Sequence, residues 1–210
     1  YSDPPGYVDA VSGERYDDLD LSQLPFVDQA LSVYSAMRFP DDRMIPINDT
    51  WGGSLVPAVY RKQKLAPALF PGSGLAVLTG GHGANAWLVY LDFTSASAPH
   101  AHRVALSMGF YLGGVELLSD IGYTHSSMRL WARSSMGHST VVVDGTEVGF
   151  DPGLLGNRAY LYDVSDPNFQ IAGALSRSAY PGKVTNYRKT LAAVSGGGQL
   201  AYVLDLFEVT

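Results

Sequence analysis

The chain has 210 residues, enough for one large domain or one domain and part of a second. Hydrophobic residues make up 46% and charged residues 16%, which excludes a highly charged disordered chain; a net charge of −6 without any basic run argues against a nucleic-acid partner. The absence of Cys removes disulfides and thiolate chemistry, and no apolar run approaches the roughly 18 residues that a membrane-spanning helix needs.

Residues 1–20 combine Pro4-Pro5-Gly6 and Ser12-Gly13 with an acidic cluster and read as turns and loop. Between 24 and 39, Leu24, Val27, Leu31, Tyr34 and Met37 recur at spacings of three and four, the stripe of one helix, which Pro40 should end. Residues 55–70 read as a second helix interrupted by Pro57 and Pro67. From residue 71 short apolar runs alternate with Gly-rich turns, and strands are expected over 74–78, 86–93, 105–112, 115–118, 139–144, 183–194 and 200–207. Gly113-Gly114, Asp144-Gly145 and Gly196-Gly197-Gly198 are hairpin signals, because tight turns need positive φ. The expectation is mainly β: two layers of antiparallel strands with a short helical segment packed nearby.

All five histidines, His82, His100, His102, His125 and His138, fall in one stretch. His100 and His102 are two apart, so an extended segment, entered through Pro99, would turn both to one side. Asp120 and His138 are expected at strand ends. His102, Asp120 and His138 together offer two imidazoles and a carboxylate, a donor mix that suits zinc better than calcium; the competing reading is that each histidine simply bonds to its own loop. His125, beside Ser126 and Ser127, fits that second reading, and His82 sits in a Gly-rich turn. Trp87, Trp131 and Tyr111 could stack on sugar rings, although Trp87 and Tyr111 lie in strand runs where burial is the commoner fate. Arg103, Arg129 and Arg133 flank the histidines and could hold carboxylates. No phosphate-binding loop, HExxH or GxSxG motif occurs.

Residues 99–123, PHAHRVALSMGFYLGGVELLSDIGY, and 138–147, HSTVVVDGTE, resemble the heparinase II/III-like polysaccharide lyase family. PDDRMIPINDTW at 40–51 is similar to the segment that leaves that family's helical toroid, and YRKTLAAV and YVLDLFEV are similar to successive strands of its β-sandwich. Two positions depart from the family pattern: Val104 where an Asp is frequent, and Ser139 where an Asn is frequent.

The resemblance implies an antiparallel β-sandwich portion preceded by a short α-helical segment from an α/α toroid. Residues 1–70 would be the toroid's tail, and 71–210 the first, incomplete part of the sandwich. It implies a secreted or periplasmic lyase, or part of one, that cleaves a uronic-acid glycan by β-elimination. His100 would be the active-site histidine, His102, Asp120 and His138 the ligands of a structural zinc, and Arg103, Arg129 and Trp131 would face the acidic polysaccharide. The family's other catalytic groups come from the toroid, so the isolated chain is expected to lack them. The alternative is a non-catalytic carbohydrate-binding or structural β-sandwich module.

Overall fold

Pro25 begins the first helix because its missing N–H is one that a helix start leaves unpaired, and α1 runs Pro25–Ala36. The computed structural model describes residues 1–210 except 59–60, 62–63, 96–99 and 150–155, and except the side chains of 22, 25, 28, 29, 31 and 32. The side chain of Leu31 in the expected stripe, and Pro99, therefore lie outside what is described. Leu24, Val27 and Met37 are half-buried, whereas Tyr34 is exposed, and α1 stops before reaching Pro40.

Among the described residues nine strands follow, all paired antiparallel in two sheets. The first sheet takes β1 Ala68–Phe70, β2 Leu75–Gly80, β3 Trp87–Asp92, β4 Ser107–Leu112 and β5 Val115–Leu118 in sequential order. The second takes β6 Asn157–Asp166, β7 Phe169–Ser176, β8 Tyr187–Gly196 and β9 Gln199–Val209, also in order. Both glycines of the β4–β5 turn, Gly113 and Gly114, have positive φ, as do Gly197 and Gly198 between β8 and β9, so these two hairpins form where glycine permits them.

Alternate residues of β2 and β3, among them Ala76, Leu78, Trp87, Val89 and Leu91, meet Ala172, Ala174, Tyr187, Leu191 and Ala193 of the second sheet in the main core. The other face of the first sheet is covered as well. Phe39, Ile45 and Ile47, from the chain after α1, pack on Leu75, Val77, Leu88, Tyr90 and Tyr111, with Phe39 stacked on Tyr111 at 5.3 Å. Burial on both faces is why β2 and β3 read as continuous apolar runs rather than alternating ones. The second sheet keeps its outer face open, with Tyr202, Leu204 and Leu206 of β9 exposed.

Three expectations are corrected. The described residues of 55–70 contain no α-helix, and Ala68–Phe70 pairs as β1; Pro67 has no N–H for a helical ladder. Residues 139–144 form no strand, although Asp144-Gly145 does turn, with the Thr146 N–H on the Val143 carbonyl. Their carbonyls are taken up by side chains instead: Lys189 Nζ donates to Ser139 O at 2.9 Å and the Tyr187 hydroxyl donates to Val141 O. Strands β6 and β7, which the sequence reading passes over, complete the second sheet.

The ladder directions place the site. Asp92 pairs with Ser107 and Phe110 with Leu118, so the end of β3, the approach to β4 and the exit of β5 share one end of the first sheet.

Candidate functional site

His102 lies five residues before β4, and Asp120 two residues after β5, at that common end. His138 follows a short 3-10 turn at Ser135–Gly137 rather than opening a strand. Ser135, fully buried, ties this turn down: its N–H donates to Glu147 at 2.6 Å, its hydroxyl donates to Arg103 O at 2.5 Å and accepts the Val148 N–H at 2.8 Å. The chain at Arg103, this turn and the chain at Glu147 and Val148 are thereby fixed to one another, and one ligand atom each from His102, Asp120 and His138 lies within 4.8 Å of the others.

The hydrogen bonds set the ring tautomers. His138 Nδ1–H donates to Ser134 O at 2.7 Å, leaving Nε2 turned to Asp120 Oδ2 and to His102 Nδ1, both 3.2 Å away. His102 Nε2–H donates to Asp49 Oδ1 at 3.3 Å. With both outer nitrogens held by acceptors, neutral rings present two lone pairs and a carboxylate oxygen to one small space, the donor set of a borderline metal ion. Asp120 is oriented the same way: its Oδ1 accepts the Gly122 N–H at 2.7 Å, which leaves Oδ2 for the cluster. Gly122 has φ +63°, and a Cβ there would come within 2.2 Å of Thr50 O, so this close approach requires glycine.

Burial and the neighbouring groups act on both rings. Burial pulls the His102 pKa down, with the His138 charge acting in the same direction and Asp120 opposing. Burial also works against a charged His138, but the Asp120 and Ser134 hydrogen bonds outweigh it, so its pKa rises.

His100 does not share the inward direction of His102. Its φ of +64° is left-handed, an uncommon conformation for a non-glycine residue, and its side chain is 79% exposed, against 0% for His102. The two meet instead on Asp49. His100 Nδ1 lies 2.9 Å from Asp49 Oδ2, while His102 holds Oδ1. Burial acts to raise the Asp49 pKa, but its bonds to the two histidines outweigh this and hold it below the ordinary value. Asn48, beside it, accepts the His102 backbone N–H at 3.1 Å. Neither Asn48 nor Asp49 stands out in the sequence, though both lie within the segment at 40–51 whose resemblance was noted; an Asn-Asp pair at a turn was the available signal.

Beside this pair is an aromatic patch. Trp51, half exposed, contacts Tyr123 with ring centroids 4.6 Å apart and His125 at 5.1 Å. The Arg129 guanidinium lies 4.6 Å over the Tyr123 ring and donates to its hydroxyl at 2.8 Å. Trp131 is exposed, but among the described residues it joins none of these ring contacts; Arg103 is exposed next to His102. Trp87 and Tyr111 are buried in the cores.

The model of the heparinase II/III-like C-terminal family matches residues 62–203, which contain His100, His102, Asp120 and His138. The chain belongs to the heparinase II/III-like family. Solved structures with the same fold include heparinase III, the BT4657 gene product, at a TM-score of 0.70 and 16% identity, covering 88% of this chain and 32% of that one. Heparan sulfate lyase HepC from Pedobacter heparinus aligns at a TM-score of 0.61 and 17% identity, over 80% of this chain and 30% of its own. Another heparinase III structure gives 0.63 and 14%, over 83% and 33%. The chain thus spans about a third of each of these heparinase chains. No curated protein matches it in sequence. Among the described residues no helix is long and apolar enough to cross a membrane. Within this heparinase-like fold, the buried His102–Asp120–His138 cluster is capable of coordinating a metal ion.

Proposed function

We propose that this chain is part of a polysaccharide lyase that cleaves a uronic-acid glycan by β-elimination. Residues 1–70 are the end of a helical toroid and 71–210 the first part of its β-sandwich, and the whole enzyme acts outside the cytoplasm, secreted or periplasmic. The observation that carries the reading is the exposed His100 oriented by Asp49, which also holds the buried metal-type cluster, in a heparinase II/III-like chain.

With its Nδ1–H on Asp49, a neutral His100 offers the Nε2 lone pair to solvent. As general base it takes the proton from the carbon α to the sugar carboxylate. That C–H pair becomes the new C=C bond as the bond to the 4-linked oxygen breaks, and the leaving oxygen acquires a proton from a group outside this chain. Asp49 stabilises the imidazolium that forms. Arg103, Arg129 and Trp131 are assigned to substrate, and the Trp51–Tyr123–His125 patch adds ring faces for pyranose stacking and, through Arg129, a cation for a carboxylate.

His102, Asp120 and His138 hold zinc in this reading. Its role is structural: it ties the approach to β4, the exit of β5 and the turn before 138 together, which fixes the backbone that carries His100. Removing metal from the full-length protein with a chelator should lower its melting temperature by several degrees, and one equivalent of zinc should restore it; an unchanged melting curve would contradict the assignment.

Mixing the full-length protein with a panel of uronate polymers tests the function directly. The expected result is a rise in ultraviolet absorbance from the conjugated unsaturated uronate end. The aromatic patch also favours a second reading, a non-catalytic carbohydrate-binding module, and glycan binding without that absorbance would select it.

A further inference from the structure

Residues 1–19 close on themselves. The Leu19 N–H donates to Tyr1 O at 2.8 Å, the Asp3 N–H to Tyr16 O at 2.9 Å and the Asp9 N–H to Glu14 O at 2.9 Å, so two limbs lie side by side. Asp9 caps the bend, its Oδ1 accepting the Val11 and Ser12 N–H groups at 3.0 and 2.7 Å. Arg15 fastens the limbs, donating to the Pro4 and Asp3 carbonyls at 3.0 and 3.3 Å, and pairs with Asp17 at 2.7 Å. The family model begins at residue 62, so this hairpin is a feature that the family match does not describe.

Between the limbs is an open cavity of about 610 Å³, a size that suits a small molecule, and Tyr1, Tyr7, Tyr16, Asp3 and Asp9 line it. No cationic side chain is among its lining residues. The three tyrosines are about half exposed, whereas Asp3 is only 6% exposed. Asp3 Oδ1 accepts the Tyr1 hydroxyl and Oδ2 the Tyr16 N–H, both at 2.8 Å, and the Tyr16 hydroxyl donates to Glu14 at 3.0 Å. A phenol that donates to a carboxylate is polarised toward phenolate, and its ring attracts a cation more strongly. Residues 1–20 hold six carboxylates against one guanidinium, Arg15, which is already paired, so the local field favours a cation as well. Rings beside carboxylates suit an organic ammonium ion rather than a hard metal ion, which needs six or more oxygens converging on one point.

We propose that this cavity binds the ammonium group of an unacetylated amino sugar, with the pyranose against the tyrosine rings and the amine on Asp3 and Asp9. The cation chemistry stands on the hairpin alone; that the amine belongs to a sugar rests on the glycan reading above.

The test measures, by calorimetry near neutral pH, the binding of a glucosamine tetramer and of its N-acetylated counterpart to the full-length protein. Neither carries a carboxylate, so neither is a substrate for β-elimination, and the result is independent of the absorbance assay. The free amine should bind about tenfold tighter than the acetylated sugar. Asp9→Asn, which keeps the oxygen that caps the bend and removes the charge, and Tyr7→Leu, which takes one ring from the wall, should each weaken glucosamine binding about tenfold at an unchanged melting temperature. Equal affinity for the two tetramers, or wild-type affinity in either variant, would overturn the proposal. Tighter binding of N-acetyl-lysine methylamide than of the glucosamine tetramer would make the cation a protein's and overturn it too. Failure of both variants to fold would make these residues structural, with the same consequence. In each case the lyase reading is left to its own assay.

Discussion

Replacing His100 with alanine in the full-length protein should lower turnover of a uronate glycan by about 10²–10⁴-fold, the range expected when a general base is lost. The same change should leave zinc content intact and the melting temperature within a few degrees of wild type. Both halves follow from position. The ring is 79% exposed and bonds only one side of Asp49, so its removal takes away little packing and leaves Asp49 Oδ1 with His102. Asp49→Asn should behave differently, because it disturbs both histidines: turnover falls and zinc affinity falls with it. His100→Ala retaining the full rate would take the residue out of the catalytic assignment. Parallel loss of zinc would mean that His100 supports the cluster rather than the substrate.

The His102–Asp120–His138 cluster was legible because its residues sit in motifs that resemble those of a known family, and the hairpin at Gly113-Gly114 was legible from turn chemistry. Asp49 was not, since it lies 51 residues before His100 and joins it only through the covering segment that packs on the first sheet. The spacing of His100 and His102 suggested one shared direction, and the left-handed backbone at His100 broke that alternation. Strand β7 was hidden by its composition. The run Ile171-Ala172-Gly173-Ala174 has weak strand propensity, and it pairs because β6 and β8 flank it and Tyr160 covers Gly173. The opposite error came from Val141-Val142-Val143, whose β-branched side chains read as a strand while the backbone bonds elsewhere.

That misread segment makes Lys189 the second position of large effect. Lys189→Met should cost about 3 kcal/mol in denaturant unfolding. Lys189 is 1% exposed on the inner face of β8, with its ammonium 2.9 Å from Ser139 O, 3.2 Å from Asp205 Oδ2 and 5.4 Å from the centre of the Phe207 ring. Methionine keeps the volume, so the expected loss comes from the Ser139 carbonyl left without a donor. Two residues earlier on β8, Tyr187 holds the Val141 carbonyl, so this pair of inward polar side chains anchors the segment that begins at His138. Zinc affinity should therefore weaken along with stability. Burial lowers the Lys189 pKa below its usual 10.5, although Asp205 opposes the shift. The unfolded chain then binds more protons than the folded one between the two values, and wild-type stability gains on the methionine variant as pH climbs through that window toward 10.5. Equal stability of wild type and Lys189→Met would show that Ser139 finds another donor and that His138 is held from its own loop, not from β8.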